Sequence, residues 1–117
     1  MTKAALIVYA DTQENEDLGR VVNAMEAVRE FDEAGDEVKL IFDGAGTRWI
    51  PELSDEDHDY HDLYDQVDQH AEVCEYCANA YEVTDAADEA GVERVDEFDG
   101  HPSIRDLVVD GYEIVTF

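Results

Sequence analysis

Short apolar segments alternate with amphipathic helical patterns along the 117-residue chain. That alternation predicts an α/β domain with a mainly parallel sheet of about five strands and helices on both faces. The segment Ala4 to Tyr9 is apolar at every position, as a strand covered on both faces requires. The length suits a single domain over residues 1–117, large enough to bury a core without help from a metal or disulfide.

Taken in order, Ala4 to Tyr9 is the first strand and Asp11 to Asp17 a polar loop. Leu18, Val21, Val22, Met25, Val28 and Phe31 recur near helical spacing, giving a helix over Leu18 to Ala34 that Gly35 ends. Glu37 to Phe42 is a second strand, closed by Asp43-Gly44-Ala45-Gly46. Trp49, Ile50 and Leu53 form an apolar patch in a connecting segment. Tyr60, Leu63, Tyr64, Val67 and Ala71 mark a second helix whose other face carries Asp62, Asp65 and Asp68. Ala71 to Cys74 is a short third strand, Cys77 to Tyr81 starts a helix, and Thr84 to Ala90 is another that stops at Gly91. Val92 to Phe98 holds a fourth strand, Pro102 opens a helix running to Val109, and Tyr112 to Phe117 is the last strand.

The charge narrows the function classes. There are 32 Asp and Glu against 7 Lys and Arg, a formal net charge of −25. Nucleic acid is excluded as a partner, because phosphate contacts need clustered Lys and Arg. An anionic membrane surface is excluded for the same reason. The acids are spread over the whole chain and Lys occurs only at Lys3 and Lys39. Such a surface resembles that of a protein from a salt-loving archaeon, where concentrated salt screens self-repulsion. No apolar run is long enough to span a membrane, and the first one is too short for a signal peptide. A cytoplasmic setting is expected, where two cysteines are thiols rather than a structural disulfide.

Cys74-Glu75-Tyr76-Cys77 is the sharpest local feature. Two thiols three positions apart can form a disulfide, exchange sulfur or hold a metal. At the junction of a strand and a helix, Cys74 gains from the helix N-terminus as a thiolate, while Glu72 and Glu75 oppose ionisation. Arg48 and His70 are the candidate counter-charges, and Trp49 with Arg48 can line a pocket beside Cys74.

A second constellation precedes it. From Glu52 to Glu75 there are ten acids and three histidines, without Lys or Arg. His58 and His61 with Cys74 and Cys77 offer two imidazoles and two thiolates, a set that suits tetrahedral zinc. The alternative is a pair of histidines on a solvated acidic helix start. Gly44-Ala45-Gly46-Thr47 lacks the full phosphate-binding fingerprint and reads as a tight turn. Ser103 or His101 caps the helix after Pro102.

Several stretches together resemble the DsrE/DsrF-like sulfur-relay family. They are Lys3 to Tyr9, Val38 to Gly44, Val73-Cys74-Glu75-Tyr76-Cys77-Ala78, Ile104 to Gly111 and Tyr112 to Phe117. The resemblance implies a three-layer α/β/α sandwich and assembly into homo-oligomers. It also implies a cysteine at the end of the third strand that carries sulfur as a persulfide. Cys74 matches that cysteine, and Cys77 matches a second one found in part of the family.

The expected function is therefore a cysteine-based sulfur carrier or thiol-redox protein, with Cys74 accepting sulfur, Cys77 resolving it, a protein thiol as donor or acceptor, and no cofactor. Two alternatives belong to other classes. One is a non-catalytic assembly module whose Trp49, Ile50 and Leu53 patch makes subunit contacts. The other is a zinc protein built on His58, His61, Cys74 and Cys77.

Overall fold

Ala4, Leu6 and Val8 point to one side of the first strand, β1 (Lys3–Val8), and Ala5 and Ile7 to the other; all five are buried. In the computed structural model, which describes residues 1–117, β1 is flanked by β2 (Glu37–Phe42) and β5 (Glu113–Thr116). The sheet continues through β3 (Ala71–Cys74) to β4 (Glu93–Val95), in the order β4-β3-β2-β1-β5, with every pair parallel. The anticipated five-stranded α/β fold is the one observed.

The helices are α1 (Asn15–Glu33), α2 (Trp49–Ser54), α3 (His61–Val67), α4 (Glu75–Ala80), α5 (Thr84–Glu89) and α6 (Ile104–Val109). Side chains from α1 to α5 pack on the face that carries Leu6, Val8, Leu40, Phe42 and Val73, forming a core of 23 buried residues. On the opposite face Ala5, Ile7 and Ile41 meet only Leu107 of α6, with Tyr112 and Ile114 alongside. The sandwich has three layers, but one is a single short helix. No helix is long and apolar enough to cross a membrane.

The connecting segment at Trp49 corrects the sequence reading. It is helix α2, and Trp49, Ile50 and Leu53 are buried in the main core rather than displayed as a contact patch. Pro51 does not prevent the helix, because it sits in the first turn, where backbone N–H groups lack intrahelical partners. The fourth strand is also shorter than the Val92–Phe98 segment suggests, since its partner β3 ends at Cys74, opposite Val95, where α4 begins.

Register aligns the strand ends. Val8 pairs with Phe42, and Phe42 with Val73. The residues that follow, Tyr9, Asp43 and Cys74, therefore emerge side by side at the carboxyl edge of the sheet, where ligands of open α/β sheets bind.

Candidate functional site

Cys74 ends β3 and caps α4: its Sγ accepts the backbone N–H of Cys77 at 3.4 Å. The 3₁₀ turn Gly44–Arg48 packs beside β3 and α4. Asp43 caps that turn by accepting the Gly44 N–H at 2.8 Å, which fixes its carboxylate. Gly46 allows the turn to lie against β1, since a Cβ there would stand 2.0 Å from the Val8 carbonyl oxygen.

The last member comes from the opposite side of the sequence. Phe98 and His101 exchange backbone hydrogen bonds of 2.9 and 2.8 Å around Asp99-Gly100, a two-residue turn with both central φ values positive. Tyr76 anchors it through its N–H to the Gly100 carbonyl at 2.9 Å, and its ring lies 4.7 Å from the His101 ring. His101 Nδ1 is thereby held 3.4 Å from Cys74 Sγ. Asp43, Cys74, Cys77 and His101 each place a ligating atom within 4.8 Å of the others.

The thiol is buried and neutral at rest. Burial pushes the Cys74 pKa up to about 12; the Cys77 N–H lowers it, but burial outweighs that bond, and Asp43 adds to the rise. The carboxylate beside the sulfur is therefore Asp43, not Glu72 or Glu75. Glu72 pairs with Lys39 at 3.6 Å and Glu75 with Arg94 at 3.8 Å. Tyr9, at the rim, is raised by burial and by Asp43, Cys74 and Cys77.

The other sequence-designated residues lie elsewhere or serve structure. Arg48 pairs with Asp11 at 3.2 Å and lies over the Tyr81 ring. Trp49 is in the core, its Nε1–H donated to the Ala10 carbonyl at 2.9 Å. His70 precedes β3, at the far end of that strand from Cys74, and meets Asp32 at 3.0 Å. His58 Nδ1 accepts the Tyr60 N–H, and His61 Nδ1–H is donated to the Leu53 carbonyl at 2.8 Å. Neither joins the cysteines. Asp43 and His101 take those places.

The sequence favours His101 as a helix cap over a catalytic residue. Ser103 does the capping, accepting the Asp106 N–H at 3.1 Å, and this leaves the imidazole for the thiol. The signal for its true position was Asp99-Gly100, a dipeptide that favours such turns.

Comparisons with known proteins agree with this architecture. The DsrE/DsrF-like family model matches residues 3–117. A solved structure of a conserved protein of unknown function from Bacteroides thetaiotaomicron superposes with a TM-score of 0.65, at 16% identity, covering 97% of this chain and 94% of that one. At that identity the likeness concerns the fold. No curated protein matches the chain.

Proposed function

The chain belongs to the DsrE/DsrF-like family, and from that premise we propose that Cys74 carries sulfur as a persulfide, with His101 moving its proton and Cys77 able to discharge it. The observation that carries this reading is the 3.4 Å approach of His101 Nδ1 to a buried cysteine at the carboxyl edge of the sheet. A neutral buried thiol is a weak nucleophile, so a proton acceptor in contact with it supplies what the environment withholds.

In the loading step the Cys74 thiol gives its proton to neutral His101. The thiolate attacks the outer sulfur of a donor persulfide, R–S–SH. The donor S–S bond breaks, and RS⁻ leaves as RSH with the proton from His101. Cys74 is then a persulfide, with no net oxidation. In delivery, the acceptor thiol gives its proton to His101, its thiolate attacks the outer sulfur, and the Cys74 sulfur leaves and takes that proton from His101. Alternatively the Cys77 thiolate attacks the Cys74 sulfur, forming the Cys74–Cys77 disulfide and expelling HS⁻; an external dithiol restores the pair.

The raised pKa serves retention. A thiolate of high pKa is a poor leaving group, so the loaded sulfur stays until His101 protonates the departing atom. That favours a carrier over a rapid exchanger. Within this reading the protein works in the cytoplasm at high salt as a homo-oligomer, with a protein thiol as its exchange partner. The exposed Val108 and Val109 of α6 and Val115 of β5 support assembly through the thinly covered side.

Incubation of the reduced chain with glutathione persulfide, followed by intact mass, tests the proposal. Wild type and Cys77→Ser should each gain a sulfur atom, and Cys74→Ser none. Equal gain by Cys74→Ser overturns it.

A further inference from the structure

We infer that Asp43, Cys74, Cys77 and His101 form a binding site for a zinc-class divalent cation. This site is distinct from the His58/His61 set that the sequence suggests, and it stands on geometry whether or not Cys74 carries sulfur. The four ligating atoms lie within 4.8 Å of one another, and the Cys74 Sγ to His101 Nδ1 separation is 3.4 Å. Tetrahedral zinc with ordinary Zn–S and Zn–N or Zn–O bonds has ligand–ligand edges of about 3.3–3.8 Å. One edge is therefore already formed, and the others need to close by at most about 1.5 Å.

Cys77 is the ligand with room to move, since it lies in the first turn of α4 and is partly exposed. His101 is already in place against the Cys74 sulfur. The other two are held. Cys74 and Asp43 are buried at adjacent strand ends, and the Gly44 N–H orients the Asp43 carboxylate.

The donor set selects the metal class. Two thiolates rule against magnesium and calcium, which take oxygen ligands. The imidazole and carboxylate complete a mixed S₂NO sphere made wholly of ligand types that zinc accepts, rather than an all-thiolate site for softer ions. Two thiolates and a carboxylate also place three negative charges around a dication. Occupancy requires both thiols to lose their protons, so affinity rises with pH. It also ties up the Cys74 sulfur.

The test uses the reduced full chain, stripped with chelator and titrated with Co²⁺ as a spectroscopic stand-in, then with Zn²⁺. A single equivalent of Co²⁺ should bind with thiolate-to-cobalt charge-transfer absorption and tetrahedral d–d bands, and Zn²⁺ should displace it. His101→Ala and Asp43→Asn should each weaken affinity at least about tenfold, and Cys77→Ser should lower the charge-transfer intensity. A His58→Ala/His61→Ala variant should bind as wild type does. Saturating Co²⁺ without charge-transfer absorption, or affinity unchanged in both His101→Ala and Asp43→Asn, overturns the inference. Far-ultraviolet circular dichroism identifies any variant that fails to fold, and the wild-type spectrum decides on its own. Persulfide loading measured with chelator present separates the two readings: loading without metal binding removes the metal site alone, and metal binding without loading removes the carrier alone.

Discussion

Cys74 Sγ and His101 Nδ1 are 3.4 Å apart although 27 positions separate them in the chain. The contact joins the end of a central strand to a tight turn beyond the edge strand. It supplies a buried thiol with an imidazole partner, and the chemistry proposed for the protein depends on it.

Replacing His101 by Ala should slow persulfide loading of Cys74 at neutral pH by roughly 10²–10⁴-fold, the usual worth of a positioned acid–base group. Stopped quenching with mass detection reads the rate. A loading rate within twofold of wild type removes His101 from the mechanism.

Alkylation of Cys74 should be slow at neutral pH and rise about tenfold per pH unit from about pH 8 to 11, because only the thiolate reacts. The dominant cause of the raised pKa is burial. Salt does not screen desolvation, so the rate should be flat across salt concentration, unlike one governed by exposed carboxylates. A plateau below about pH 9, or a marked rise with salt, contradicts this.

The same thiol makes the fold sensitive to alkali. In the unfolded chain Cys74 ionises near its ordinary value of 9.0, whereas in the folded state burial holds the proton up to about 12. Over that window the native state binds the extra proton, so its contribution is full below pH 9.0 and lost as pH rises toward 12. Urea denaturation at about pH 8 and 11 should show a smaller alkaline loss for Cys74→Ala than for wild type.

Gly46→Ala should destabilise the domain by about 3 kcal/mol, since the new methyl meets the Val8 carbonyl oxygen and backbone must shift. The melting temperature should fall by roughly 10 °C. An unchanged melting temperature would mean that the Gly44–Arg48 turn can move away from β1 freely.

Tyr64→Phe should be neutral or stabilising. The Tyr64 hydroxyl is buried without a hydrogen-bond partner, so removing it relieves an unmet polar group and leaves the ring against Phe42 intact. A loss of more than about 1 kcal/mol in thermal or urea unfolding contradicts that.

The fold was legible because β1, β2 and β3 are apolar and largely buried and because α1, α5 and α6 end at glycines: each of the five strands lies within or beside an apolar segment read from the sequence. Helix α2 was hidden because Pro51 and a run of bulky apolar residues obscure its period. The site was half legible. Cys74 and Cys77 are neighbours in sequence and announce themselves. Asp43 is one acid among 32, and only strand register brings it to the sulfur. His101 reaches it through a turn far along the chain, which only the Asp99-Gly100 dipeptide signals. Glu72 and Glu75 misled for the converse reason: sequence adjacency to Cys74 does not set proximity to its sulfur, because one side chain turns to Lys39 and the other to Arg94.

The most direct test is peptide-mapped mass spectrometry of the wild-type chain after brief exposure to glutathione persulfide, with the added sulfur trapped by alkylation. The account predicts that the trapped persulfide resides on Cys74, with Cys77 recovered as a free thiol at early times. A persulfide found on Cys77 first, or on neither cysteine, would contradict it.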